Sequence, residues 1–247
     1  MRIALRQVVL ALLLTVWAAQ GTRAQQAPPI GAPVVSLDAS RLSVRRDSFN
    51  VTIRGTLVGT QVTQLRIEDG ALVYTEHTEI GMLGLVQHTR VVMDPATLAP
   101  TSVDQTGSAQ GQQADTHVTM AEARVQGRAQ TPGPGGQARI TDVDTAFVPG
   151  TLDVNQLPVL VPALPLADSA SFTVSVFNAA DASTTPYTIA VEASEDVTVP
   201  AGTFSVYRVL LGKQGRPQLT VFVNREYPRR IVKLEAAGQQ IAFELVQ

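Results

Sequence analysis

The acidic, histidine-bearing stretch Glu76-His77-Thr78-Glu79 is the first place in this sequence where side chains could do chemistry. On a strand His77 and Glu79 share one face, so they could offer a nitrogen and an oxygen to a single ion. His88 falls in the next strand-like run and would complete a metal site if the hairpin register aligned it. The plainer reading is a solvated strand face alternating charge with Thr, because one face-sharing pair falls far short of a ligand set. His117 stands alone. There is no G-x-S-x-G elbow, H-E-x-x-H, G-x-x-x-x-G-K-[ST] or helix-opening G-x-G-x-x-G, and no Ser is marked out as a triad nucleophile. The 247 residues include no Cys, which removes thiol nucleophiles, thiolate metal sites, iron–sulfur clusters and disulfides together. No cofactor is implied, and the expectation is a non-enzymatic protein.

The elements that must position these residues are strands. Phe49, Val51 and Ile53 alternate with Asn50, Thr52 and Arg54, the period of a half-buried strand. Further strand-like runs follow at 61–68, 71–80 and 84–93, separated by Glu68-Asp69-Gly70 and the Gly81–Gly84 stretch and stopped by Asp94-Pro95. Others lie at 101–107, 114–120, 122–129, 137–143, 171–178 and 186–198. The low-complexity stretches 107–113 and 131–136 read as hairpin tips. A last group at 203–211, 218–224, 230–236 and 240–246 is joined by short turns, which require antiparallel pairing. With one weak helix signal among some dozen strands, an alternating α/β fold is excluded.

That helix signal is Asp153–Leu166 (DVNQLPVLVPALPL). Pro158 is tolerated only near a helix start, Pro162 and Pro165 would end it, and Asp153 or Asn155 would cap it. Leu157, Leu160, Val161 and Leu164 then have two compatible readings. They are core packed across the sheet, or they wall a hydrophobic ligand site on a curved sheet that a single short helix leaves incompletely covered.

The N-terminus reads as a signal peptide over residues 1–24. Arg2 and Arg6 precede an apolar run from Val8 to Ala19, and Thr22-Arg23-Ala24 supplies a cleavage site. The run is too short to span a bilayer, which takes about 20 residues. A Pro- and Gln-rich leader follows at 25–40, then one antiparallel β-domain over 41–247. Removing Arg2, Arg6 and Arg23 from 19 basic residues leaves 16 against 21 acidic, net −5. Scattered charge of that sign offers nucleic acid no basic stripe. The mature chain is expected in the periplasm or outside the cell, with no membrane-spanning segment.

Several phrases resemble a family of uncharacterised periplasmic β-domains. They are Asp94-Pro95-Ala96-Thr97-Leu98-Ala99-Pro100, Val199-Pro200-Ala201-Gly202-Thr203-Phe204 with Tyr207-Arg208-Val209, and Pro228-Arg229-Arg230-Ile231-Val232-Lys233-Leu234-Glu235. Leu160–Leu166 sits where that family has a short helical crossover. The resemblance implies an all-β fold, a large curved antiparallel sheet with one short helix, similar to the half-barrel of outer-membrane lipoprotein carriers. It carries over no catalytic residue. The family's function is unknown; the predicted curved sheet together with the apolar segment 157–166 suggests a protein that binds a hydrophobic ligand such as a lipid or an acylated partner. The alternative is an envelope protein–protein interaction module that adds a partner strand at an exposed edge, where Arg229 and Arg230 would bear on access.

Overall fold

The computed structural model describes residues 36–133, 136–213 and 216–247. The expected signal peptide and most of the leader lie outside them. The alternating runs form sixteen strands: β1 (Arg45–Ile53), β2 (Thr56–Glu68), β3 (Ala71–Ile80), β4 (Leu85–Met93), β5 (Pro100–Ala109), β6 (Gln112–Ala121), β7 (Arg124–Pro132), β8 (Ala138–Ala146), β9 (Leu152–Asp153), β10 (Ser171–Asn178), β11 (Ser183–Val191), β12 (Glu195–Val199), β13 (Gly202–Lys213), β14 (Arg216–Asn224), β15 (Ile231–Ala236) and β16 (Ile241–Leu245). The one α-helix among the described residues, α1, is Leu157–Leu160, continued by a 3-10 turn at Val161–Ala163.

All these strands belong to one open, curved sheet, in the order β8-β7-β6-β5-β4-β3-β2-β1-β16-β15-β14-β13-β11-β10-β9, with β12 also on β13. Among them only the β9–β10 pair is parallel. The all-β expectation therefore holds, with its large curved antiparallel sheet and one short helix. Tight turns set much of the register. Asp69 and Gly70 both take positive φ, 50° and 79°, the conformation of a two-residue hairpin turn whose twist matches its strands. Gln110 and Gly111 do the same between β5 and β6.

Three local expectations need correction. Strands β5 and β6 run to Ala109 and restart at Gln112, so the low-complexity stretch 107–113 is mostly strand. Ladder bonds are main-chain bonds and need no apolar side chains. The run 186–198 is two strands, β11 and β12, broken where Glu192 N–H turns to bond the Arg208 carbonyl. The twelve-residue β13 carries both. Helix α1 starts after Gln156 with no side-chain cap, because Asp153 Oδ1 already accepts from the Asn155 N–H at 2.8 Å. Pro158 lies in its first turn, as anticipated.

The inner face of the sheet buries the core. A transverse row through Leu65, Tyr74, Val91, Val103, Val118, Gly127 and Val143 crosses seven strands in register, and all of these residues except Gly127 are buried. The two lips of the sheet approach each other where Phe147 meets Phe177 edge-on, centroids 5.9 Å apart. Beside them Thr141 Oγ1 donates to the Ala180 carbonyl at 2.8 Å. The segment from β9 through α1 crosses the enclosed space and fills most of it.

Candidate functional site

The crossing segment is built in two halves. Its polar half lies against strand β5 and the loop before it. Gln105 Nε2 donates to Asn155 Oδ1 at 3.2 Å, and Gln156 Nε2 donates to the Leu98 carbonyl at 3.0 Å. Asp153 is fully buried; Asn155 bonds its Oδ1, while its Oδ2 has no partner among the described residues. Burial pushes its carboxyl up to about 6, against the two bonds from Asn155.

The apolar half is core. Leu157, Leu160, Val161 and Leu164 are all buried, none more than 3 % exposed. The Leu164 carbonyl is a tie point, accepting from Arg41 Nη1 at 2.9 Å and from Arg229 Nη1 at 3.2 Å. Arg229 is itself buried, its guanidinium lying against the rings of Tyr207 and Tyr227. Arg230 Nη2 sits 3.1 Å from Asp47 Oδ1. Neither arginine guards an edge, contrary to expectation, because β15 lies inside the sheet between β14 and β16.

Beside α1 a small cleft of about 80 Å³ remains between the crossing segment and the inner face of β1–β3 and β15. One wall is apolar: Leu42, Phe49, Leu65, Val159, Ile231 and Leu234. The other is polar. Tyr74 Oη donates to Glu76 Oε2 at 2.9 Å, Thr78 Oγ1 to Glu76 Oε1 at 3.3 Å, and Gln61 Nε2 to Thr78 Oγ1 at 3.0 Å. Gln61 Oε1 is buried without a partner among the described residues. Burial raises the Glu76 carboxyl despite the hydrogen bonds that oppose it. Burial and the neighbouring Glu76 push the Tyr74 hydroxyl well above its usual range. At the rim Arg45 donates to Asp47 Oδ2 at 2.7 Å. Burial lowers the Arg45 guanidinium, outweighing the attraction of Asp47.

This wall continues a polar belt that the sequence reading missed. Asp47, Thr63, Glu76, Thr89, Gln105 and Thr116 stand in one register row across β1–β6, on the inner face. A single-strand signal existed, since a period of two puts Glu76 on the side of Tyr74, opposite His77.

The outer face carries the histidines. His77 and His88 are directly paired in the β3–β4 register, with Nδ1 atoms 3.1 Å apart and rings stacked at 4.1 Å. Glu79 Oε1 lies 2.9 Å from the other nitrogen of His77, Nε2. The structure thus brings together His77, Glu79 and His88. The two histidines border an open cleft of about 500 Å³ with Arg46, Gln64, Thr75, Arg90, Asp104 and Thr106. His117, by contrast, pairs with Asp104. Among the described residues no group of three or more His, Cys, Asp and Glu side chains is arranged to hold a metal ion. Nor is any helix there long and apolar enough to cross a membrane.

One curved sheet wrapped around a crossing segment defines a β-barrel-like domain. The chain belongs to the family of proteins of unknown function DUF3108, whose profile matches residues 48–245. Among solved structures the chain is similar to a β-barrel-like protein of the domain of unknown function DUF1849 from Brucella abortus. The identity is 10 %, the TM-score 0.49, and the match covers 83 % of this chain and 98 % of that one. It is also similar to a Bacteroides fragilis protein with a YmcC-like fold, at 9 % identity and TM-score 0.26, covering 82 % and 93 % of the two chains. No curated protein matches.

Proposed function

We propose that this protein is a non-enzymatic, exported protein of the bacterial cell envelope that holds a hydrophobic ligand, a lipid or an acylated partner, inside its curved sheet. The observation that carries the reading is the coverage of the inner face. A single crossing segment with only four residues of α-helix covers it, and a cleft with one apolar wall stays open beside that helix. The cleft's volume is that of about three liquid waters, so it admits a chain end and no more. A long chain enters by taking the place of α1, whereupon Leu157, Leu160, Val161 and Leu164 become the apolar flank of the ligand. The Tyr74–Glu76–Gln61 wall suits the polar end of an amphiphile, and the unpartnered Gln61 Oε1 would accept a hydroxyl or amide donor.

Native mass spectrometry of the mature protein from an envelope extract, followed by solvent extraction, tests this. A co-purifying acyl-chain species near one per chain is the expected result. A bare polypeptide mass together with no uptake of a fluorescent fatty acid would overturn it.

A second reading has its own observation. Strand β8 ends the sheet, paired with β7 along nine residues on one side only, and most of its residues are exposed. An envelope module that adds a partner's strand along that edge would use it, and a ligand-free outcome favours this reading.

A further inference from the structure

The rim of the cleft beside α1 carries more positive charge than its own carboxylates offset. Asp47 is buried and shared by two guanidiniums. Arg45 Nε donates to its Oδ2 at 2.7 Å, and Arg230 Nη2 lies 3.1 Å from its Oδ1. Arg45 also donates from Nη1 to the Arg229 carbonyl at 2.7 Å. Three arginines therefore gather around one carboxylate. Glu76, on the polar wall of the same cleft, does not balance them, because Tyr74 and Thr78 already bond it and burial drives it toward its neutral form. Asp38 is taken by Arg41.

The hydrogen bonds of the cluster are as unbalanced as its charge. Arg229 Nε, Arg230 Nε and Arg230 Nη2 are buried with no hydrogen-bond partner among the described residues. Arg230 Nη2 is close enough to Asp47 to be attracted to it but too poorly aligned to bond it. Buried polar groups in native proteins are nearly always satisfied, so unfilled donors on two successive residues mark a missing acceptor. Uncompensated buried charge is costlier still. Burial does most to destabilise the charged form of Arg45, and the charge of Arg230 adds to it. The rings of Tyr207 and Tyr227 lie against Arg229 and stabilise its cation, but they give Arg230 nothing. A water would accept from these donors and leave the charge as it is. An oxyanion supplies both the acceptors and the charge, and its geometry matches the guanidinium fork.

We propose, building on the hydrophobic-ligand reading, that the ligand is an anionic amphiphile whose carboxylate or phosphate oxygens bind Arg45 and Arg230 at the rim of this cleft. Its chain then takes the place of α1 against Phe49, Leu65 and Ile231. A hydroxyl or amide beside the anion meets the unpartnered Gln61 Oε1. Arg229 Nη1 bonds the Leu164 carbonyl while α1 is in place. Once a chain displaces α1 that bond ends, and Arg229 becomes a third donor to the anion.

Matched ligand pairs test this by calorimetry on the mature protein at about pH 8, where a carboxylic acid is ionised. One pair is hexadecanoate and hexadecanol, the other dihexadecanoyl phosphatidic acid and dihexadecanoylglycerol, all delivered as monomers from cyclodextrin. In at least one pair the anion should bind about 10- to 100-fold more tightly than its neutral partner. The pair in which it does so identifies a free acid or a phospholipid as the source. Arg230→Gln, which leaves Asp47 its bond from Arg45, should remove most of that preference and leave the neutral ligand's affinity unchanged, with circular dichroism showing the variant folded. Raising the salt concentration on the parent protein should shrink the preference as well, a check that needs no variant. Equal affinities within both pairs would overturn the anion site and leave hydrophobic binding standing. A preference that survives both Arg230→Gln and high salt would also overturn it. Binding of no member of either pair would overturn the hydrophobic-ligand reading itself, and the anion site with it.

Discussion

Replacing Asp153 by Asn should flatten one component of the pH dependence of stability, and the size of the effect follows from the site. Asp153 is fully buried, and its carboxyl is raised from an ordinary 3.8 to about 6. A raised carboxyl favours the folded state while it is protonated in both states. That contribution is complete below the unfolded value near 4 and is lost as pH rises through about 6. A shift of about 2 units at about 1.4 kcal/mol each makes the loss about 3 kcal/mol between about pH 4 and pH 8. The substituted amide cannot ionise, so the variant should not suffer that loss. Its Oδ1 still accepts from Asn155, while Nδ2 inherits the unpartnered place of Oδ2. That adds a cost of about 1–3 kcal/mol that does not vary with pH. The readout is therefore a difference of differences. Urea unfolding of both proteins across this range should show the variant gaining about 3 kcal/mol on the parent as pH rises, equivalent to about 6–12 °C in Tm. Glu76, also raised by burial, titrates in both proteins and cancels. A free-energy gap that stays constant from about pH 4 to pH 8 would refute the argument.

Leu160→Ala should cost about 2–5 kcal/mol in urea unfolding, because the side chain is 1 % exposed within the core. A cost below about 1 kcal/mol would mean that the crossing segment is not packed as core. Gly59→Ala should destabilise by about 1–3 kcal/mol, since its Cβ would lie 2.0 Å from the Glu79 carbonyl oxygen and 2.9 Å from Ile80 Cα. Thermal unfolding checks this, and an unchanged Tm would show that the β2–β3 pairing tolerates a side chain there.

The strands were legible because period-two alternation and turn chemistry are local properties. The run 71–80 coincides with β3, and Asp69-Gly70 closes its hairpin with the positive φ values that turn needs. Which residues meet across strands was not legible. Strand β5 has polar residues on both faces, so its own sequence cannot say that Gln105 joins Glu76 and Thr89 on the inner side. Pairing with β4 decides that, and a slip of one residue would turn it outward. His77 and His88 were legible as candidates because both lie on predicted strands. Their direct opposition depended on the three-residue 3-10 turn at Gly81–Leu83. Arg229 and Arg230 were misread because adjacency to the last strands in sequence resembles an edge, whereas β16 pairs with β1 and takes β15 into the interior.

The two halves of the crossing segment constrain what a displacing ligand must be. Residues 153–156 are tied by polar bonds to Leu98 and Gln105, and a hydrocarbon chain replaces none of those bonds. That half stays, and the boundary of any movement falls between Gln156 and Leu157. Beyond it, freeing Leu157, Leu160, Val161 and Leu164 forfeits about 1.5–3 kcal/mol each, about 6–12 kcal/mol in all. A ligand methylene returns about 0.8 kcal/mol on burial, so about 8–15 methylenes are needed to offset the loss. The Leu164 carbonyl would also surrender its bonds from Arg41 and Arg229, which moves the requirement toward the upper end. A short-chain solute therefore lacks the apolar surface to open this fold. The ligand consistent with the proposal is a long acyl chain, with a head group polar enough to rest on Glu76 and Gln61.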